Sequence, residues 1–247
     1  MGCGSSSAAN PVYKLCFKAQ EKHTPINISD LQKSLEGLPV EELNRPEGDY
    51  GWTALKCLAL WKGRTPAEDA KGNLGEAAKM LLAAGADPVG PQFISGPLGC
   101  TITYERYDVM AAILDTLSSS QWESVVANLT AKKPCRKGDF VGGEWIEYDG
   151  KRGYVTHQVV DDGGLMTRQS GLTCVIQLDD GTSKSVDVNE RLVVLPSVYA
   201  RVKAELVKAA SAAGCSTDVL ERLHSLEERK GGYIDVSVID PIFNGSM

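Results

Sequence analysis

The sequence predicts an α+β chain with more than one folded region, because its hydrophobic periodicity changes twice. Residues 13–133 place apolar side chains at helical spacing, residues 134–196 alternate as strands do, and residues 197–247 return to helical spacing. With 247 residues, of which 43% are hydrophobic, the chain can build an adequate core in more than one region. We therefore expect a tail over residues 1–12, a helical domain, a small β-barrel and a C-terminal helical segment.

The tail reads Met-Gly-Cys-Gly-Ser-Ser-Ser, which is the pattern of a doubly acylated N-terminus. Once Met1 is removed, Gly2 can accept myristate and Cys3 palmitate, and Ser6 stands where a small hydroxyl residue is preferred. One myristoyl chain binds a bilayer weakly, whereas two acyl chains anchor a protein stably. The segment resembles the starts of eukaryotic dually acylated signalling and ciliary proteins, which implies a cytoplasmic, peripheral membrane protein. The alternative is an ordinary unmodified tail.

Composition excludes several other classes. No apolar run reaches the roughly eighteen residues that a membrane-spanning helix needs. The seven cysteines are scattered without a C-x-x-C pair, so we expect reduced thiols rather than disulfides or a zinc site. A net charge of -6 disfavours a general nucleic-acid binder.

The helical domain contains one segment with a regular order of parts. The turn Gly51–Leu55 leads into an apolar helix, and a second helix over Glu76–Ala84 carries Leu81-Leu82 and ends at Gly85-Ala86-Asp87. This order resembles an ankyrin repeat, although Ala54 replaces the proline of the family's turn. The resemblance implies stacked helix pairs that bind other proteins.

Weaker copies of the pattern lie on both sides. Downstream, Gly96-Pro97-Leu98 stands at the next turn and Ile113-Leu114 at the next Leu-Leu position. Upstream, a helix from Ile28 to Leu35, with Ser29 as its N-cap, would belong to an incomplete first repeat. Gln121 to Leu129 would be a terminal capping helix. The alternative is an unrelated small helical bundle.

The ankyrin resemblance also implies where a partner binds, namely at exposed turn tips and on the concave helix face. It points to Tyr50 and Trp52 in the middle repeat and to Arg106 and Tyr107 in the third. Trp52 could equally be buried against the next repeat, and the sequence leaves that choice open.

Strand-like alternation begins at Cys135 and is punctuated by Asp149-Gly150 and Asp180-Gly181, dipeptides typical of two-residue hairpin turns. The predicted strands are Asp139–Val141, Trp145–Tyr148, Arg152–Val160, Thr173–Leu178, Ser183–Val188 and Arg191–Leu195. Short strands at this density indicate an SH3-like barrel, and the pattern is similar to KOW and Tudor modules.

Barrels of this class bind ligands along an aromatic rim, for which the candidates are Phe140, Trp145, Tyr148 and Tyr154. Such rings read modified lysine when they enclose a cation, and RNA when basic residues surround them. Residues 136–196 hold seven Lys or Arg against ten Asp or Glu, so nucleic acid is not expected. We expect most of these rings to fill the core.

Helical periodicity returns over Val198–Ala213, and a second helix starts at the N-cap candidate Ser216. The alternation Tyr233–Ile239 would add one more strand.

No catalytic motif is present, and His23, His157 and His224 stand in separate segments without metal-ligand spacing. We expect no enzyme activity, cofactor, metal or small-molecule substrate. The chain is interpreted as a lipid-anchored, non-catalytic adaptor or scaffold that binds protein partners at the cytoplasmic face of a membrane. The alternatives are a non-lipidated regulatory or docking subunit of an enzyme complex and, third, a reader of modified lysine or RNA.

Overall fold

The computed structural model describes residues 10–22, 24–48, 51–60, 72–90, 93, 96–104, 106–134, 143–160, 172–187 and 192–230. Over these residues the chain is a mixture of helices and strands, which confirms the predicted α+β class. It divides into two compact units. The first unit combines residues 1–125 with 205–220, and the second combines residues 126–204 with 221–247.

The first unit is built from packed helix pairs. Its helices are α1 (Pro11–Lys22), α2 (Ile28–Leu35), α3 (Val40–Leu43), α4 (Ala54–Leu60), α5 (Leu74–Ala83), α6 (Pro97–Thr103), α7 (Tyr107–Leu114) and the start of α8 (Ser119–Thr130). Helices α1, α4 and α6 pack in one row, and α2, α5 and α7 pack in a second row beside it. Each row-one helix also contacts the helix that follows it in row two. Membership of the ankyrin family stays a prediction.

Apolar stripes on these helices meet in the core of the first unit. Its largest fully buried side chains include Leu55, Leu58, Leu74, Leu81, Leu98 and Ile113. Cys57 and Cys100 are buried among them, as expected from their positions in the helical pattern. Gly85 ends α5 with a φ of 95°, and the Ala86 amide donates to the Leu81 carbonyl at 2.9 Å, which confirms the predicted helix end.

One helix start differs from the prediction. Asn27 caps α2, because its Oδ1 accepts a hydrogen bond from the Asp30 amide at 3.3 Å. The predicted cap, Ser29, lies inside the first turn, so its side chain cannot serve that function. The predicted helix over Gln121–Leu129 is confirmed within α8.

The second unit contains a six-stranded antiparallel sheet in the order β1-β6-β2-β3-β4-β5. Its strands are β1 (Lys133–Pro134), β2 (Trp145–Tyr148), β3 (Lys151–Val160), β4 (Leu172–Leu178), β5 (Ser183–Asp187) and β6 (Leu192–Val194). Buried Ile146, Val155, Ile176, Leu178 and Leu192 form its core. A separate parallel pair joins β7 (Ser197–Val198) to β8 (Glu227–Glu228).

The expected closed barrel is not found among the described strands, where β1 and β5 remain the two edges of an open sheet. A further strand was predicted at Asp139–Val141, which lies outside the described residues, as does Tyr233–Ile239. The identification as an SH3-like barrel therefore remains a prediction, whereas the antiparallel sheet itself is established.

The two predicted turns have different lengths. Asp149 and Gly150 both have positive φ, 49° and 74°, and form the expected two-residue turn between β2 and β3. The prediction for Asp180-Gly181 is wrong in length, since the Leu178 amide donates to the Thr182 carbonyl at 2.9 Å and encloses a three-residue loop. Lys151 contacts Asp180 at 2.8 Å, and this hydrogen bond holds the pKa of the Asp180 carboxyl below its usual range.

The C-terminal helices are α9 (Ala200–Ala212) and α10 (Thr217–His224). The predicted start of α9 at Val198 is wrong, because Val198 belongs to β7. Ser216 caps α10 as predicted, accepting from the Val219 amide at 3.4 Å. The two compact units divide between Val125 and Val126, inside α8. The predicted domain bounds stay a prediction.

Candidate interaction surface

The predicted partner surface starts at the turn that precedes α4. Glu47 and Trp52 exchange two backbone hydrogen bonds, of 2.9 and 3.0 Å, which close the turn as a short antiparallel bridge. This bridge fixes the position of Trp52 relative to the helix that follows. Tyr50, the other predicted contact at this turn, lies outside the described residues.

Trp52 belongs to an aromatic patch together with Tyr13 and Phe17 of α1. The rings of Tyr13 and Phe17 stack with centroids 5.6 Å apart, and the ring of Phe17 lies 6.2 Å from that of Trp52. Tyr13 is buried, whereas Phe17 and Trp52 are half-buried. The question of whether Trp52 is core or surface therefore has an intermediate answer: it packs on Phe17 and keeps part of its ring accessible.

Sequence reasoning missed Phe17. The available signal was the spacing of Tyr13 and Phe17, four residues apart, which places both rings on one face of a helix. Phe17 also contacts Trp52 from another part of the chain, and no local pattern in α1 encodes that contact.

Asn10 holds the start of α1 in place. Its Oδ1 accepts hydrogen bonds from the amides of Val12 at 2.8 Å and Tyr13 at 3.4 Å, which caps α1. Its Nδ2 donates to the Glu42 carbonyl at 2.9 Å. Asn10 is only 4% exposed, so the chain enters the unit at a defined, buried position.

A single carboxylate connects this entry point to the turn of Trp52. Glu47 Oε1 accepts from the Asn10 amide at 3.4 Å and lies 2.6 Å from Arg45 Nη2. Glu47 is 9% exposed, and Arg45 supplies the opposite charge that a buried carboxylate needs. The start of α1 and the bridge of Trp52 are therefore parts of one hydrogen-bonded structure.

The two predicted contacts in the third helix pair differ in accessibility. Arg106 is 4% exposed, its carbonyl accepts from the Met110 amide at 2.8 Å, and its Nη2 lies 3.3 Å from Asp108 Oδ1. A partner therefore has little access to Arg106, because its charge is engaged at the start of α7. Tyr107 is half-buried and keeps part of its side chain accessible.

The aromatic residues predicted at the barrel rim differ in burial. Trp145 is 8% exposed, and its ring lies 5.8 Å from that of Tyr154, edge to face. Tyr148 packs against the core of the sheet. Tyr148 and Tyr154 are half-buried, so among the described rings only Trp145 is buried, and Phe140 lies outside the described residues.

One open cavity of about 230 Å³ in the first unit is lined by Ser119, Ser120, Glu123, Gly214, Cys215, Ser216 and Val219. Its lining offers hydroxyl groups and one carboxylate. Burial raises the pKa of the Cys215 thiol, with a further contribution from Glu123, which lowers the fraction present as thiolate near neutral pH.

The parts of the chain that the structure describes contain no group of three His, Cys, Asp or Glu side chains able to hold a metal ion. Within the same ranges, every helix is too short or too polar to cross a bilayer. His224 is exposed on α10, while His23 and the side chain of His157 fall outside the described part.

Comparisons with protein-family models, with curated proteins and with solved structures found no match for this chain. The class that the fold defines is an α+β protein of a helical unit and an antiparallel sheet unit.

Proposed function

We propose that this chain is a lipid-anchored, non-catalytic adaptor that holds a protein partner at the cytoplasmic face of a membrane. The observation that carries the proposal is the position of the aromatic patch of Tyr13, Phe17 and Trp52, directly after the segment that carries Gly2 and Cys3. The acyl chains would supply the attachment, and the accessible parts of Phe17 and Trp52 would supply the contact.

The geometry sets how far this patch can stand from the bilayer. Eight residue steps separate Gly2 from Asn10, so the tail can span at most roughly 28 Å. Phe17 follows Asn10 by seven residues, nearly all of them in α1, which adds roughly 10 Å. A partner bound at the patch would therefore be held close to the membrane surface.

Half-exposed aromatic rings suit protein recognition. Tryptophan and phenylalanine offer large contact areas with few rotatable bonds, so binding restricts little side-chain freedom. Hydrogen bonds of Glu47 with Asn10 and with Trp52 join the turn to the start of α1, which reduces the ordering cost of association further.

The lipid part of the proposal is tested on protein isolated from its own cells. Intact mass measurement is expected to show myristate on Gly2 and palmitate on Cys3. Gly2→Ala should move the chain into the soluble fraction. Cys3→Ser is the matched variant, because it keeps myristate and should give only partial, reversible attachment. An unmodified Met1 in native material would contradict the proposal.

The non-lipidated docking subunit remains the second candidate, since the same aromatic patch could bind an enzyme subunit without a membrane. It predicts an unmodified N-terminus together with retained partner binding. The mass measurement therefore separates the two candidates.

A further inference from the structure

The second unit holds its own segment Glu227–Lys230 in the manner of a bound peptide. Its first two residues, β8, pair in parallel with β7. The Arg229 amide donates to the Val198 carbonyl at 3.0 Å, and the Lys230 amide donates to the Gly143 carbonyl at 2.9 Å. Trp145 Nε1 donates to the Glu228 carbonyl at 2.8 Å. These bonds use the backbone of the segment, so other extended sequences could form them equally well.

Selectivity in this groove comes from the site around Arg229. Its Nη1 lies 3.1 Å from Oε1 of Glu144, a carboxylate that is 1% exposed. Its guanidinium lies 5.0 Å from the ring centroid of Tyr199, and its Nε donates to the Ser197 carbonyl at 3.4 Å. A buried carboxylate beside an aromatic ring favours a planar cation.

The neighbouring positions have their own contacts. Lys230 Nζ lies 5.2 Å from the ring centroid of Trp145, and Arg152 lies 3.9 Å above the same ring. Arg152 also forms an ion pair with Glu227. The groove therefore suits a segment of four consecutive residues: an acidic residue, a spacer, an arginine and a lysine.

The floor of the groove is shaped to admit a backbone. Gly143 has a φ of 77°, and a side chain at this position would collide with the Lys230 carbonyl oxygen. The close approach of the two backbones requires glycine here. The groove is thus formed by elements distant in sequence from the segment that it holds.

We propose that this groove is a binding site for an extended segment of a partner protein that carries an acidic residue, a spacer and an Arg-Lys pair. The chain's own Glu227–Lys230 occupies the site in cis and competes with the partner. Because a tethered segment acts at a high effective concentration, partner binding would be weak until the cis segment leaves. This proposal is independent of lipid attachment and of the aromatic patch.

The test uses the full chain and a labelled synthetic peptide, Leu-Glu-Glu-Arg-Lys-Gly, in a fluorescence anisotropy titration. The double variant Arg229→Ala with Lys230→Ala empties the side-chain sites and should bind the peptide about tenfold or more tighter than the unaltered chain. Adding Glu144→Gln to this variant should abolish the gain. The control peptide carries alanine in place of both basic residues and should not bind.

Circular dichroism melting establishes whether the double variant is folded. If it is not, Lys230→Glu replaces it, because Lys230 is exposed and its loss leaves the pair of Glu144 and Arg229 in place. The variant loses the contact of Lys230 with Trp145, which weakens the hold on the cis segment. It should therefore also bind the peptide more tightly than the unaltered chain. A folded variant that binds the peptide no better than the unaltered chain would overturn the proposal and show a purely internal contact.

Discussion

Phe17 and Trp52 face each other with ring centroids 6.2 Å apart and ring planes tilted by 48°, although they belong to different helix pairs. This contact joins α1 to the turn before α4. The aromatic patch therefore forms only when both α1 and the turn before α4 are folded.

The first prediction concerns the energy of this contact. Phe17→Ala and Trp52→Ala should each lower the free energy of unfolding by about 1–2 kcal/mol, since both rings are half-buried. The double variant should lose less than the sum, by about 0.5–1.5 kcal/mol, because the rings interact directly. Urea denaturation of the four proteins measures this. Val40→Ala is the control, since Val40 is 47% exposed and should change stability little. Strictly additive losses would show that the rings are independent.

The second prediction concerns the buried ion pair of Glu144 and Arg229. Arg229→Met should destabilise the chain by about 3 kcal/mol, because it removes the Arg229 charge that lies 3.1 Å from a carboxylate that is 1% exposed. Adding Glu144→Gln should recover part of that loss by removing the uncompensated charge. Urea midpoints of the single and double variants test the prediction. A double variant less stable than Arg229→Met alone would contradict it.

The third prediction compares two glycines with similar backbone angles. Gly143 and Gly150 have φ of 77° and 74°, so alanine is strained by roughly 1–2 kcal/mol at either position. A side chain at Gly150 meets nothing within 4 Å, whereas one at Gly143 meets the backbone of Lys230. Gly143→Ala should therefore lower the thermal midpoint clearly more than Gly150→Ala. Equal shifts would argue against the close approach at Gly143.

The fourth prediction concerns alkaline pH. Burial raises the pKa of Cys57 to about 12 and that of Cys100 to about 11, whereas an unfolded chain releases these protons at about 8.5. The folded state then holds more protons than the unfolded state between these values, so the free energy of unfolding should fall as pH rises above roughly 9.

Thiolate absorbance in the ultraviolet offers the direct measurement. At about pH 10 the native chain should show fewer thiolates than the same chain in urea. Full ionisation of the thiols in the folded protein at that pH would contradict the burial of Cys57 and Cys100.

The sequence predicted local structure well where a residue's neighbours along the chain decide its conformation. Asp149-Gly150 needs positive φ at both positions, and Gly85 ends its helix for a similar reason. The two-residue alternation of apolar and polar side chains predicted strands β2 to β6, and the structure has them at nearly the predicted bounds.

Features that depend on exact register or on distant partners could not be predicted. Leu178, rather than Asp179, pairs with Thr182, so the second turn contains one residue more than its dipeptide indicated. Asn27 and Ser29 are both acceptable caps by residue type, and the exact start of α2 decides between them. The burial of Arg106 and the pairing of Glu227–Glu228 with β7 arise from tertiary packing, for which single-sequence periodicity holds no signal.

The central claim is that one part of the chain attaches to a membrane while another holds a protein. Crosslinking in the native cells, followed by separation of membrane and soluble fractions, tests both parts in one measurement. Gly2→Ala should leave the crosslinked partner attached but move the complex to the soluble fraction. Trp52→Ala should leave the chain on the membrane but weaken partner binding by about 2 kcal/mol, which is roughly a thirtyfold loss of affinity. A single variant that loses both membrane attachment and partner binding would contradict the account. Two variants that each keep both properties would contradict it as well.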